Sequence, residues 1–392
     1  MHPSACRAFV AVLAVGVAFG GGRAFAEGEG KRFSVHPSIK VTTVADDNVR
    51  LQDGDRDSDI GVWIAPRLEL GYQSRGLQAG ADLGADVRRY LNHSHLGKEF
   101  YRLHGFVEVG LLPGLTLRVS DTYTPQPIRL GVPEDEGRNL VQTNRVVTKL
   151  EYWREFAEGR EVQFGIQGGR LTSEGFEEGR NTGSGGTGGA RADHWDGAAY
   201  AEVSNPLGRK SSVFLRAQSR YRTFDESSEF DFVEVFGVGG IRSRWLRNVE
   251  VSLSGGYGLV EYLEQSSTKR FLADGRILWR LPRGWSTHLN VHNKFTADLT
   301  GRDYVETAGT FGVEKRLGPR TDFLVEGFLT RFDGDSFSEG SSLFGGVRAR
   351  VRRQLTRRVQ FALTYRHWNR GGGEDIDDFY QNRLSLMLSY RR

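Results

Sequence analysis

The clearest chemical feature of the chain is a row of three arginines, Arg348, Arg350 and Arg352, which alternate with aliphatic residues. In an extended strand this spacing puts all three guanidinium groups on one face. Guanidinium groups bind carboxylates and phosphates through paired hydrogen-bond donors. The row therefore predicts a surface that attracts anions.

The same alternation places further arginines on the polar faces of other segments. Acidic residues occur on those faces too, so the alternative interpretation is a network of salt bridges that braces a wall. For the row of three, the bracing acids would be Glu306, Glu314 and Glu326. The candidates for an anion-selective lining are Arg118, Arg145, Arg216, Arg220, Arg276, Arg348, Arg350, Arg352 and Arg366.

Signals for catalysis or for a metal site are weak. His288 and His292 share a strand face, but the sequence places no third metal ligand beside them. The chain contains no Gly-x-Ser-x-Gly elbow, and the glycine-rich run at 183–189 lacks the Lys-Ser or Lys-Thr end of a phosphate-binding loop. We therefore predict no catalytic residues, no metal and no cofactor, and a chain that is not an enzyme.

The segments that carry these arginines have a two-residue period. Leu384, Leu386, Leu388 and Tyr390, for example, all fall on one face of an extended chain. About 18 such segments recur, each about ten residues long, which is the strand length of a membrane barrel. Their predicted starts are Ser34, Ile60, Gln78, Tyr101, Leu115, Thr143, Glu161, Asp196, Ser211, Phe230, Val249, Thr268, Ser286, Tyr304, Thr321, Ser342, Arg358 and Phe379.

Two kinds of connection alternate between these segments. Short ones are rich in proline, glycine and arginine, whereas the others, such as 46–59, 124–139 and 172–193, are longer and acidic. Outer-membrane barrels have short periplasmic turns and long external loops. The pattern predicts an all-β fold, namely a transmembrane antiparallel up-and-down β-barrel of about 18 strands with both termini in the periplasm. A soluble β-sandwich or propeller, the alternative, would usually have shorter strands.

Aromatic residues near the predicted strand ends fit the two girdles of a membrane barrel. We expect one girdle at the short turns and the other near the long loops. A barrel of this size can leave an aqueous channel, and we expect the loops at 124–139 and 172–193 to narrow it. The girdle residues are predicted to be Tyr72, Trp245, Trp279, Trp285 and Tyr390 at the turns, and Tyr90, Tyr123, Tyr221 and Trp368 near the loops.

The chain begins with the features of a secretory signal peptide. The apolar run 8–19 follows Arg7 and precedes Ala24-Phe25-Ala26, a small-residue cleavage site. We predict a cleavable leader at 1–26 and the barrel at 27–392. Removal of the leader takes away Cys6, the only cysteine, and lowers a formal charge of +4 to near neutrality. A nearly neutral chain favours no nucleic-acid partner.

Three loose motifs near the start of the mature chain are Asp47-Asn48-Val49, Ile64-Ala65-Pro66 and Arg89-Tyr90-Leu91. With these motifs the chain resembles an outer-membrane β-barrel family associated with exopolysaccharide biosynthesis, and it is similar in outline to the porin-like alginate exporters. The resemblance implies a polysaccharide permeant and a periplasmic polysaccharide-export protein as partner. Barrels of this kind usually end on an aromatic residue that the outer-membrane assembly machinery recognises, but here Arg391 and Arg392 follow Tyr390.

We therefore expect a channel in the bacterial outer membrane, surrounded by outer-membrane lipid, that exports polysaccharide from the periplasm to the cell surface. One alternative is a general or solute-selective porin. Another is a structural or enzymatic barrel with a plugged lumen. The sequence does not decide between these functions.

Overall fold

The computed structural model describes residues 32–49, 57–94, 97–127, 140–174, 193–225, 231–263, 267–297, 303–334, 341–371 and 379–392. The predicted leader at 1–26, the glycine-rich run at 183–189 and most of the two longest loops lie outside the described residues. Within the described part, no helix is both long and apolar enough to cross a membrane.

The described chain is almost entirely β-strand, with single 3₁₀ turns at Ala157–Gly159 and Pro282–Gly284. The strands are β1 (Arg32–Asp46), β2 (Asp59–Ser74), β3 (Leu77–Tyr90), β4 (Lys98–Leu112), β5 (Leu115–Pro127), β6 (Leu140–Glu155), β7 (Glu161–Glu174), β8 (His194–Pro206), β9 (Ser211–Phe224), β10 (Phe232–Leu246), β11 (Val249–Tyr262), β12 (Thr268–Leu281), β13 (Trp285–Ala297), β14 (Asp303–Gly318), β15 (Thr321–Gly334), β16 (Ser341–Gln354), β17 (Val359–Gly371) and β18 (Phe379–Arg391).

These strands form one closed antiparallel barrel. Each strand pairs with its neighbours along the chain, and β1 also pairs with β18, from Ser38 opposite Arg391 to Asp46 opposite Arg383. Closure leaves no edge strand with unpaired backbone groups, which is the condition for a sheet in lipid. The predicted fold class and the strand number are confirmed, and each predicted start lies within a few residues of the observed one.

The two ends of the barrel differ in their connections. Turns of a few residues, such as those from Ser74 to Leu77 and from Gly318 to Thr321, join the strands at one end, which also holds the start of β1 and the end of β18. The other end holds the longer connections, up to the stretch from Glu174 to His194. By the rule for outer-membrane barrels, we predict that the short-turn end faces the periplasm.

The outer face of the barrel is apolar. Exposed side chains such as Val41, Leu253, Phe311 and Leu386 point away from the lumen, whereas the residues between them are mainly polar or glycine. Contact of apolar side chains with water is unfavourable, whereas their contact with lipid is not. This belt is therefore the surface that contacts the membrane. Trp279 and Trp285 lie on the same outer face beside a short turn, as expected for a girdle.

Two residues predicted for the loop-side girdle face the lumen instead. Tyr90 lies opposite Gly61, and Trp368 lies opposite Gly346, in rows that point inward. A Cβ atom at Gly61 would come within 3.2 Å of the Tyr90 ring, and one at Gly346 within 2.9 Å of the Trp368 ring. Each ring therefore occupies the space that a glycine leaves on the inner wall, which explains why its position near a loop did not put it in lipid.

The inner wall becomes less accessible toward the long-loop end. Phe232, Val260, Tyr262 and Phe295 form a buried cluster at the loop ends of β10, β11 and β13. The ring of Phe232 meets those of Phe295 and Tyr262 edge-on, with centroids 5.5 and 6.4 Å apart. Inward-facing side chains in a wide aqueous bore would be exposed, so the described inner wall is more closely packed at this end.

A cationic wall inside the barrel

The arginine row predicted from the sequence lies on β16 and faces the lumen. Its neighbours on the next strands extend it around the wall, because Arg348 is opposite Arg366 and Arg366 is opposite Arg383. The last of these is opposite Asp46 on β1. Three neighbouring strands thus present arginines directly opposite one another. Like charges in that position destabilise a sheet unless other groups offset them.

Two members of the β16 row are held by carboxylates of β15. Arg348 Nη2 lies 2.6 Å from Glu326 Oε1, and Arg352 Nε lies 2.8 Å from Asp322 Oδ2. The same register puts each pair directly across the strand boundary. The charges of these two arginines are therefore matched locally.

Arg350 is the member of the row without such a match. Its cross-strand neighbours are Leu324 and Thr364, which are both uncharged. Among the described residues no carboxylate lies within ion-pair distance of its guanidinium group, and its buried Nε has no hydrogen-bond partner. Arg348 and Arg352 flank it on the same face, so an anion that approaches Arg350 meets three guanidinium groups.

The bracing predicted from the sequence is right only in part. Glu326 holds Arg348, as expected. Glu306 instead lies 2.8 Å from His292 and 3.2 Å from Lys294 on β13. Glu314 lies opposite Leu324, and no ion pair with it occurs in the described chain. The register of β14 against β13 and β15 keeps both of these glutamates from pairing with the arginines of β16, although Glu314 still acts on Arg350 through space.

The other six candidate arginines also point inward. Arg276 is exposed and has no carboxylate at ion-pair distance among the residues described, whereas Arg366 lies over the Trp368 ring at 5.7 Å. The remaining four belong to the bracing network of the alternative interpretation. Their pairs are Arg118–Glu108 at 3.7 Å, Arg145–Asp196 at 2.5 Å, Arg216–Glu202 at 2.9 Å and Arg220–Glu234 at 2.8 Å.

Aromatic rings accompany the arginines on the inner wall. Arg383 lies between Trp63 and Trp368, at 5.5 and 5.4 Å from their ring centroids. Arg118 lies 4.2 Å from the Phe106 ring. Rings at such distances attract a guanidinium group through their π faces. Trp63 and Phe106 were not among the residues predicted from the sequence to line the lumen, although each falls on the polar phase of its strand.

The two histidines considered as metal ligands each face a different glutamate. His288 Nε2 lies 3.1 Å from Glu326 Oε2, and His292 Nε2 lies 2.8 Å from Glu306 Oε1. Across the described ranges, no three His, Cys, Asp or Glu side chains come together in a way that would hold a metal ion. These histidines belong to the same charged network as the arginines.

This inner wall combines fixed guanidinium donors with flat aromatic faces. Paired donors orient a carboxylate or phosphate, and an aromatic face accepts the planar body of a ligand. The arrangement suits weak, repeated contacts with a small anion. Weak contacts at several positions are what passage through a pore requires.

Comparison with known proteins gives a likeness in fold. No protein-family model matches the chain, and no curated protein matches it. Among solved structures, OccK1 (OpdK) of Pseudomonas aeruginosa is similar over 92% of this chain and 99% of its own, with a TM-score of 0.53 and 10% identity. OpdK with vanillate gives the same values.

A second protein of that organism, OccK9 (OpdG), covers 92% of this chain and 98% of its own, at a TM-score of 0.52 and 13% identity. OpdK, which is also similar in a further crystal structure, is an outer membrane protein. At such identities the likeness concerns the fold. Together with the apolar outer belt, it establishes that this chain is a closed 18-stranded barrel of the bacterial outer membrane.

Proposed function

We propose that this barrel is a passive, solute-selective channel that favours small anions. The observation that carries the proposal is Arg350, an inward-facing arginine without a carboxylate partner among the described residues, flanked by Arg348 and Arg352. A solute-selective porin was an alternative in the sequence analysis. It now has more support than polysaccharide export.

The electric field inside the bore depends on where the unmatched charges lie. A bore with low-dielectric walls focuses the field of its charges and raises the local concentration of ions of opposite sign. Paired arginines contribute little to that field because their carboxylates cancel it at a distance. Arg350, Arg276 and Arg102 are inward-facing arginines without an ion pair in the described chain. The inward-facing acids Glu314 and Asp274, which also have no ion pair there, offset part of their field.

The aromatic rings indicate which anions would fit. Phe106 lies 4.2 Å from Arg118, whose side chain is 41% exposed, so a carboxylate attached to a ring finds both a donor and an aromatic face on one stretch of wall. One similar solved structure, OpdK, contains vanillate, which is a compound of that kind. This supports small aromatic carboxylates as the first permeants to test.

Polysaccharide export depends on the sequence resemblance alone, since the similar solved structures are named as OccK and Opd proteins. The periplasmic export partner that it implied is likewise a prediction. A channel of the proposed kind has no reaction to catalyse, in keeping with the expectation that the chain is not an enzyme.

The test is conductance of the purified barrel in planar bilayers under a salt gradient, followed by swelling of liposomes in vanillate and in a neutral oligosaccharide. We expect ion conductance, a reversal potential of the sign for anion preference, and faster swelling in vanillate. A barrel that does not conduct is plugged. A cation-selective barrel, or one that admits the oligosaccharide faster, would contradict the proposal.

A further inference from the structure

Five successive short turns share a leucine that is followed by one or two basic residues. They join β8 to β9, β10 to β11, β12 to β13, β14 to β15 and β16 to β17. They are therefore neighbours around the rim that we predict to be periplasmic. The stretches are Leu207-Gly208-Arg209-Lys210, Leu246-Arg247, Leu281-Pro282-Arg283, Leu317-Gly318-Pro319-Arg320 and Leu355-Thr356-Arg357-Arg358. We call the cations of these turns (Arg209, Lys210, Arg247, Arg283, Arg320, Arg357 and Arg358) the basic arc.

The charge of the basic arc is not offset by nearby acids. All seven side chains are exposed, and among the described residues none of them has a carboxylate within ion-pair distance. Two acids at the adjoining strand ends are already held, since Glu250 lies 2.7 Å from Arg280 and Asp322 lies 2.8 Å from Arg352. Glu314, opposite Ser286, has no ion pair in the described chain, and it lies on the lumen side rather than on the rim. One side of the periplasmic rim is therefore strongly positive.

The leucines of the same turns are unusual for a surface that faces water. Leu207, Leu246, Leu317 and Leu355 are 55%, 60%, 61% and 45% exposed. Exposure of leucine to water is unfavourable, whereas its contact with the acyl region of a membrane is favourable. Leucine and arginine side by side are the composition of a surface at a lipid interface.

The height of the arc fits that interface. Trp279 and Trp285, which flank the third turn, lie on the outer face in the girdle, and Lys315 Nζ lies 4.7 Å from the centre of the Trp285 ring. Tryptophan rings mark the level of the headgroups. The arc begins within a few residues of these tryptophans, and each residue of a strand rises only about 3.3 Å. The arc therefore lies close to the level of the headgroups.

We propose that the basic arc binds the phosphates of anionic glycerophospholipids in the inner leaflet, while the leucines enter the acyl boundary. The positive charge alone would also suit an acidic periplasmic protein. The leucines and the girdle tryptophans favour lipid, because they continue the apolar belt up to the charged turns. This contact would anchor one side of the barrel at a fixed depth, independently of what passes through the lumen.

The experiment compares how brominated phosphatidylglycerol and brominated phosphatidylcholine quench tryptophan fluorescence of the barrel in vesicles. The variant carries Arg283→Gln, Arg320→Gln, Arg357→Gln and Arg358→Gln. The control loses the same charge at the long-loop end through Arg89→Gln, Lys98→Gln, Lys269→Gln and Arg331→Gln. Slower gel migration after boiling shows that each variant has folded.

We expect the wild type and the control to associate with phosphatidylglycerol roughly threefold more strongly than with phosphatidylcholine, and the arc variant to lose that preference. High salt should reduce the preference of the wild type, since it screens charges at an interface. An arc variant that keeps the full preference would overturn the proposal and leave the arc to an acidic protein. Equal losses in the variant and the control would also overturn it, because net charge alone would then be responsible.

Discussion

Arg383 on the last strand holds Asp46 on the first strand across the seam where the barrel closes. Its Nη2 and Nε atoms lie 2.7 and 2.9 Å from Asp46 Oδ2, and both side chains are buried. Gln381 Nε2 donates to both carboxylate oxygens at 2.8 Å. Beside this pair, the Asn382 backbone N–H and side-chain amide each donate to Asp47 at 2.6 Å. The seam thus has a buried polar clasp in addition to its backbone ladder.

Breaking this clasp should destabilise the barrel. Asp46→Asn leaves the guanidinium group of Arg383 buried without its counter-charge, and removal of one partner of a buried ion pair costs about 3–5 kcal/mol. The measurement is the free energy of unfolding in urea, followed by tryptophan fluorescence in detergent micelles.

The matched control is Glu69→Gln, which removes the carboxylate that faces Arg391 at 2.8 Å in an exposed pair. Exposed pairs contribute about 0–1 kcal/mol. If Asp46→Asn costs no more than the control, the clasp does not stabilise the seam.

A second prediction concerns the close approach of β10 and β11. A Cβ atom at Gly256 would come within 1.9 Å of the Gly237 carbonyl oxygen, which is a backbone atom that cannot move alone. We expect Gly256→Ala to lower the free energy of unfolding by about 1–3 kcal/mol. Gly237→Ala is the control, because a Cβ atom there meets nothing within 4 Å. Equal effects of the two substitutions would show that the contact does not limit the packing of the strands.

Orientation can be tested with single cysteines in intact cells. Ser94 is exposed at the long-loop end, and Arg209 is exposed at a short turn. Cys6, the only native cysteine, belongs to the predicted leader. We expect an impermeant thiol reagent to label Ser94→Cys and not Arg209→Cys until the outer membrane is opened. The opposite pattern would mean that the short turns face outward.

The strands could be predicted from the sequence because a two-residue period is a local property of the chain. Leu384, Leu386 and Leu388 show their common face without any knowledge of neighbouring strands. The same period placed all the candidate arginines inside. The girdle assignment was wrong for Tyr90 and Trp368, because it used their nearness to loops, whereas their phase in the strand and the glycines opposite them put them in the lumen.

The distinction between matched and unmatched arginines could not be predicted, because it depends on register between strands. Arg352 is matched only because the pairing of β15 with β16 sets Asp322 opposite it. Arg350, two residues away, falls opposite Leu324. The motif Asp47-Asn48-Val49, which suggested a polysaccharide conduit, lies at the closing seam and has a structural role there.

The most direct test of the proposed function is the reversal potential of Arg350→Gln in a salt gradient, measured against Arg353→Gln. The control removes the same charge from the same strand, but Arg353 is exposed and lies in an outward-facing row. We predict that Arg350→Gln shifts the reversal potential toward cation preference, most clearly at low ionic strength, while the control stays close to the wild type. A folded Arg350→Gln barrel with the wild-type reversal potential would contradict the account.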